Sequence, residues 1–476
     1  MKIEMKKTYL TLCYLCVLLL FAACSQEEVI EKNAGIINQY DPAKPSTADE
    51  ILPERGVIDQ TFIINGNFPG ELSDMKVYFG TKKAVLTATD GISITGLVPK
   101  QPEGLNQVSV VLGTDSLVPA GLQFKYKQSR SVKTISGKLN QTEAWMSATD
   151  YAGAALDAVT YGRITFVGTV AGQTQDNIIA STANWGDSYL FLLSQDDNEV
   201  QKLSTPTMTS APAVPSTRDA FYATNWWNGN HTIYYWSKAN NWNYSTTGIT
   251  VSSSDLPGAK VPSMTFGADD NLVYMMDSEG RIAEVNLDEK FYKVYTSAVK
   301  KPGGLNAANY GGEIKGDLPT SFGDWHDGFL TYSKYHHCFF ASFANQHAIY
   351  KLVKNADNTW TSTLYAGNNG RSITVGHRLT DARLNRPFGM VVNADGEIFV
   401  CNIGDNDWDA TGHVILKIAG DAVELAAGKT DQKDPLSNGD PLEATFSGPC
   451  TLAIDVDGNY IIAAGTDMSV RKLSIE

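Results

Sequence analysis

The chain is short of positive charge. Its 476 residues carry 38 Lys and Arg against 52 Asp and Glu, a formal net charge of −14, and no basic patch stands out. That shortage excludes nucleic acid as a partner and speaks against a polyanionic glycan. Histidine is scarce, at seven, and neither HxH nor HExxH occurs, so the familiar zinc spacings are missing. There is no GxSxG, no P-loop, and no carboxylate pair that stands apart from the other acids. Beyond the N-terminus no apolar run is long enough to span a bilayer. Charged residues make up 19% and hydrophobic ones 43%, a globular balance. Glycine, Tyr, Phe and Trp are plentiful at 41, 21, 18 and 9, which suits short strands joined by tight turns.

The N-terminus is organised around Cys24. Lys2, Lys6 and Lys7 precede an apolar stretch from Tyr9 to Ala23 of signal-peptide length. Ala22-Ala23-Cys24 resembles the bacterial lipobox. The resemblance implies cleavage before Cys24 and its lipidation; the alternative is an ordinary secretory signal that contains a Cys. Residues 1–23 are then a leader and 24–40 a flexible tether. Ser25-Gln26-Glu27-Glu28 resembles the export signal of Bacteroidetes surface lipoproteins, which implies outer-membrane anchorage facing the extracellular side; a plain acidic tether is the alternative. Cys338, Cys401 and Cys450 lie in apolar contexts with no CxxC among them. Buried free thiols are expected, with one disulfide as the alternative.

From about residue 46 to 126 short alternating runs end at Gly or Pro: Thr61–Ile64, Lys76–Phe79, Ile92–Thr95, Gln107–Leu112 and Leu122–Tyr126. The pattern predicts a small antiparallel sandwich. Leu52-Pro53 with Gly56, Gly66-Asn67-Phe68, Val77-Tyr78-Phe79-Gly80 and Leu97-Val98-Pro99 resemble an IPT/TIG domain, an immunoglobulin-like module, placed at 41–127.

Residues 130–476 hold degenerate repeats. Pro387–Val400 and Pro449–Ile462 each read as strand, x-Asp-Gly turn, strand; Pro262–Met276 is a third copy, with its next strand at Arg281–Val285. Weaker copies centre on Tyr189–Leu193, Thr232–Trp236 and Cys338–Ala341. The repeats predict a six-bladed β-propeller, and they resemble NHL repeats. Ser131–Gly137 matches an outermost strand without its own blade and is expected to pair with the last strand, Ser469–Ile475, closing the ring. The fold class is therefore all-β: an IPT/TIG sandwich followed by an NHL-type propeller. The whole layout is similar to a family of Bacteroidetes cell-surface lipoproteins.

Aromatics crowd one stretch: Tyr222, Trp226, Trp227, Tyr234, Tyr235, Trp236, Trp242 and Tyr244, interleaved with Asn225, Asn228, Asn230, Asn240, Asn241 and Asn243. Flat rings pack on the C–H faces of sugars, and amides bond hydroxyls in both directions. About half of these rings are expected to pack between blades. Trp226, Trp227 and Trp242, in Gly- and Asn-rich sequence, are the surface candidates, and Trp185, Trp325 and Trp408 sit in comparable polar loops. These six are the expected ligand-binding residues. No catalytic residue, metal or cofactor is expected: His336-His337, placed in a strand, would point to opposite faces, and His326 with Asp324 and Asp327 is the best local cluster yet reads first as a solvated loop. The Asp-rich turns Asp269–Asn271, Asp405–Asp407 and Asp455–Gly458 lack the distant Glu of a calcium loop.

The function expected is non-catalytic capture of a glycan or oligosaccharide. The family resemblance adds an accessory role beside a TonB-dependent transporter. A protein–protein scaffold and a metal-dependent lyase or hydrolase are the alternatives.

Overall fold

The computed structural model describes residues 40–475 apart from 102, 141–150, 183–187, 228, 259, 320–325, 368–369, 405–411, 431–434 and 466. The chain divides between Ser129 and Arg130 into two compact units. Among the described residues no helix is long and apolar enough to cross a membrane.

The first unit contains β1 (Thr47–Leu52), β2 (Arg55–Gly56), β3 (Thr61–Asn67), β4 (Met75–Phe79), β5 (Lys82–Lys83), β6 (Val85–Thr89), β7 (Ser93–Leu97), β8 (Gly104–Leu112), β9 (Asp115–Leu117) and β10 (Gln123–Tyr126). They form two sheets, β1-β3-β7-β6 and β2-β10-β8-β4-β5 with β9 on β8. All pairings are antiparallel except the short β2–β10 contact. Alternation does the sorting: in β4 and β10 every second side chain is buried, and Phe62, Phe79 and Phe124 meet edge to face at 5.1 and 5.2 Å. Asn67 pins the start of the unit, its amide donating to the carbonyls of Asp41, Lys44 and Pro45.

The second unit begins with β11 (Arg130–Ser136) and continues through β12 (Ile164–Ala171), β13 (Asp176–Thr182), β14 (Leu190–Ser194), β15 (Glu199–Leu203), β16 (Ala220–Ala223), β17 (His231–Ser237) and β18 (Tyr244–Val251). Then come β19 (Ser263–Phe266), β20 (Leu272–Met276), β21 (Ile282–Asn286), β22 (Phe291–Thr296), β23 (Tyr310–Gly316), β24 (Phe329–Ser333), β25 (Cys338–Phe343), β26 (Ala348–Lys354) and β27 (Trp360–Gly367). The last are β28 (Gly376–His377), β29 (Pro387–Val392), β30 (Ile398–Ile403), β31 (His413–Ala419), β32 (Ala422–Ala427), β33 (Pro449–Ile454), β34 (Tyr460–Ala464) and β35 (Ser469–Ile475).

These strands make antiparallel meanders: β12–β15, β16–β18, β19–β22, β24–β27, β29–β32, and β33–β35 with β11. The innermost strands β12, β33, β29, β24 and β19 contact one another in that order. Residues 209–213 complete the circuit by bridging to β16 on one side and to Ser263 of β19 on the other. The result is a propeller. β23 is an addition, parallel to β22 and β27 and joining the outer edges of two blades. Blade sheets are covered on both faces; all six residues of β25 and of β30 are buried. Gly396 and Gly458 take φ of 83° and 80° in the x-Asp-Gly turns, as the repeat pattern requires.

Ring closure follows the sequence expectation. β11 pairs antiparallel with β35 from Arg130↔Ile475 to Ser136↔Val470, and Val132 exchanges both backbone bonds with Gly439 at 2.8 and 2.9 Å. Cys338, Cys401 and Cys450 are buried and form no disulfide.

Hydroxyls stitch one inner strand to the next. Ser263 Oγ accepts from Leu330 N at 2.7 Å and donates to Leu330 O at 3.1 Å. Thr451 Oγ1 does the same for Val167 N and Thr165 O, both at 3.1 Å. An edge that no strand covers is thereby satisfied. Ser263→Ala strips both bonds from buried Leu330, and its unfolding free energy is expected to fall by about 2–4 kcal/mol in urea titration. Ser253→Ala, at an exposed hydroxyl, is expected to change it by less than about 0.5 kcal/mol.

Candidate functional site

Every inner strand runs the same way along the propeller axis, so the axis has an upper end where those strands begin and a lower end where they finish. The strand ends of the meanders place residues 224–227, 229–230, 252–258, 260–262 and 344–347 at the upper end, and the hairpin turns 267–271, 334–337 and 393–397 at the lower one.

Strand alternation splits the aromatic stretch three ways. Tyr222 and Tyr235 stack at 5.7 Å toward Phe266 of the next blade. Trp236, stacked on Phe221 at 4.8 Å, faces the preceding blade together with Tyr234. Trp226 and Trp227 lie in the β16–β17 connection, at the upper end of the axis. The expected division between packing and surface rings therefore exists, but its members differ from expectation. Trp226 is only 5% exposed and Trp242 only 8%. Trp242 is at the lower end, where left-handed φ values at Asn241 and Trp242 turn the indole back onto Phe221. Gly and Asn around these two rings mark turn geometry, not exposure. Trp227 is half-buried. Trp185, Trp325 and Trp408 lie outside the described residues, as do Cys24, Asp324 and the Asp405–Asp407 turn.

Across the upper axis Phe166 of β12, Trp226, Phe329 of β24 and Phe388 of β29 form one cluster, with ring centroids 5.1 Å (Phe166–Trp226), 6.2 Å (Phe166–Phe388) and 5.5 Å (Phe329–Phe388). Side chains from several blades thus meet on the axis and fill it. Polar donors surround this plug. Lys260 Nζ lies 4.3 Å over the Trp227 ring, a cation–π contact. His326 packs edge-on against Phe388 at 4.7 Å. Its Nδ1 accepts from Arg386 Nη2 at 3.2 Å. Arg386 N in turn donates to His347 Nδ1 at 3.2 Å, with Arg386 itself at φ 53°. Beneath Trp227, His231 Nδ1 bonds the carbonyl of Asn225 at 3.0 Å; burial pushes its pKa below the usual histidine value, so it stays neutral. The arrangement offers one partly open indole with the Lys260 ammonium over it, and a contact between Arg386 and the buried His326 beside Phe388. Lys260 and Arg386 were not foreseen from sequence, because nothing local marks them.

The metal hypothesis gains nothing from the geometry. Asp327 is buried and accepts the backbone N–H of Asn345 at 2.9 Å, and among the described residues no group of three or more His, Cys, Asp or Glu could hold an ion. His336 and His337 correct the sequence expectation: they lie in the turn between β24 and β25, not in a strand. His337 adopts φ 49°, and His336 Nε2 contacts Gly396 O at 2.9 Å.

Residues 46–126 match the IPT/TIG domain family model. No curated protein matches the chain. Among solved structures, a Bacteroides thetaiotaomicron protein of unknown function is similar over 92% of this chain and 100% of its own, at 23% identity and a TM-score of 0.71. An auxiliary nutrient binding protein from Bacteroides thetaiotaomicron is similar over 92% and 99%, at 16% identity and TM-score 0.54. Another from Bacteroides ovatus is similar over 92% and 100%, at 15% identity and TM-score 0.56. At these identities the likeness is one of fold.

Proposed function

We propose that this protein is a non-catalytic surface binding protein that captures a nutrient glycan at the upper end of the propeller axis. It would be held at the outer membrane by lipid on Cys24 and work beside a TonB-dependent transporter. The observation that carries the reading is the half-buried Trp227 ring, with Lys260 Nζ 4.3 Å over it, beside Trp226 of the axial plug. A stacking surface flanked by donors suits a sugar's C–H face and hydroxyls. The names of the two nutrient-binding proteins that share the fold support the same class of work.

Trp227→Ala, in the chain from Ser25 onward, is expected to weaken binding of the best ligand on a glycan array at least about tenfold by titration calorimetry, equivalent to about 1.4 kcal/mol. Trp226 is the wrong probe, since its ring is part of the buried plug. Unchanged affinity in the Trp227 variant, with its fold intact, removes the site.

A further inference from the structure

The seam that closes the ring carries a reactive pair of residues. Of the four Asn-Gly steps in the sequence, two lie among the described residues, Asn65-Gly66 and Asn438-Gly439. Asn438 and Gly439 sit in the loop between β32 and β33, and both are exposed. Glycine has no Cβ to shield its backbone nitrogen. That nitrogen can reach the preceding asparagine's side-chain carbonyl and close a five-membered ring. The reaction needs the nitrogen and Asn438 Cγ aligned at close range.

The closed propeller withholds both reactants. Gly439 N donates to Val132 O at 2.9 Å, and Gly439 O accepts from Val132 N at 2.8 Å. The Asn438 amide is held at both ends. Its oxygen accepts from Arg471 Nη2 at 3.0 Å, and its nitrogen donates to Thr134 Oγ1 at 3.1 Å. Asn140, just past β11, grips the same loop: its side chain accepts from Leu436 N at 2.7 Å and donates to Leu436 O at 3.0 Å. Each of these ties runs to β11, to its extension or to β35. Cyclisation is therefore blocked until the loop lifts from the seam.

We propose that Asn438 is a spontaneous deamidation site guarded by the ring seam, and that reaction there makes opening of the seam irreversible. Once the loop lifts, Gly439 N gives its proton to solvent and attacks Asn438 Cγ. The Cγ–Nδ2 bond breaks and ammonia leaves. Water then opens the cyclic imide. Cleavage at Cγ leaves an aspartate. Cleavage at the main-chain carbonyl leaves an isoaspartate, which routes the backbone through the side chain and lengthens it by one carbon. Gly439 then no longer lies opposite Val132, and β11 loses its bridge on that side.

Peptide mapping of the purified full-length chain at alkaline pH tests this. Asn438 is expected to deamidate at least about tenfold more slowly in buffer than in unfolding urea. Val132→Ala weakens the seam without burying charge. It should raise the rate in buffer at least about fivefold and leave the rate in urea unchanged. Thr134→Val, which releases the Asn438 amide nitrogen, should raise the rate in buffer at least about twofold. Asn65-Gly66 is the control in the same samples. It lies in β3 between β1 and β7 of the first unit, and neither substitution should change its rate. Hydrogen exchange on the isoaspartate fraction should show β11 unprotected, while unreacted chains keep its protection. The proposal is overturned if Asn438 reacts equally fast in buffer and urea, or if neither variant moves its rate. A matching rise at Asn65, or equal protection of β11 in reacted and unreacted chains, overturns it as well.

Discussion

An Arg471→Met variant is expected to lose about 3–5 kcal/mol of stability in the propeller unit, the usual result of stranding one member of a buried ion pair. Arg471 is fully buried in β35, and its partner Asp467 is 2% exposed. The guanidinium donates to Asp467 Oδ2 at 3.3 Å, to Thr445 O at 2.5 Å, to Asn438 Oδ1 at 3.0 Å and to Ser437 O. Its flat face covers the Phe446 ring at 4.4 Å. One side chain thus ties the last strand to the 435–446 loop, and that loop also holds β11 through Gly439. Methionine matches the volume but leaves the Asp467 carboxyl without a counter-charge. Burial already pushes that carboxyl up to about 7 from 3.8, against the opposing pull of Arg471. A folded-state value above the unfolded one favours the protonated fold, so this group's contribution is fully present below 3.8 and is lost as pH rises through about 7. The R471M defect should accordingly be smaller at pH 5 than at pH 8, and Asp467→Asn added to it should restore part of the loss. Urea titrations at the two pH values check both points. Equal defects at both would place the cost in lost packing, not in charge.

Val132→Asp should be at least as damaging, at more than about 4 kcal/mol. Val132 is fully buried among Leu473, Ile415, Phe446 and Ala427, and it faces Leu473 across the β11–β35 ladder. A carboxylate there is set among apolar side chains, and relief requires β11 to peel away. Because the chain divides at Ser129, calorimetry is expected to show the propeller transition collapse while the IPT/TIG transition remains. Loss of both transitions would mean that the two units depend on each other.

The fold was largely legible because both units are built on short periods. Asp-Gly turns between apolar runs exposed the repeats, and the orphan strand after residue 130 exposed the closure. The strands that escaped notice lack that signature. Residues 209–213 act as an inner strand although Pro206, Pro212 and Pro215 make the segment read as a loop; the edges they cannot pair face the axis, where a missing N–H costs little. β6 is mostly exposed and shows no apolar alternation. The site was less legible. A crowd of aromatics says that rings will be packed, but which ones reach solvent depends on strand phase and on turn residues such as Asn241, whose left-handed backbone reverses the indole next to it. Arg386 and His326 are 60 residues apart in sequence, and only the ring brings them together.

Closure by the first strand onto the last also governs how this molecule is made. Synthesis delivers β11 before the other strands of the ring and β35 after them, so the earliest piece waits for its neighbour until the rest of the ring has been made. During that interval β11 offers an unpaired edge to whatever it meets. A premature stop just ahead of the seven-residue β35 would leave that edge open for good. Clipped products should therefore aggregate or be degraded instead of persisting as slightly shorter proteins.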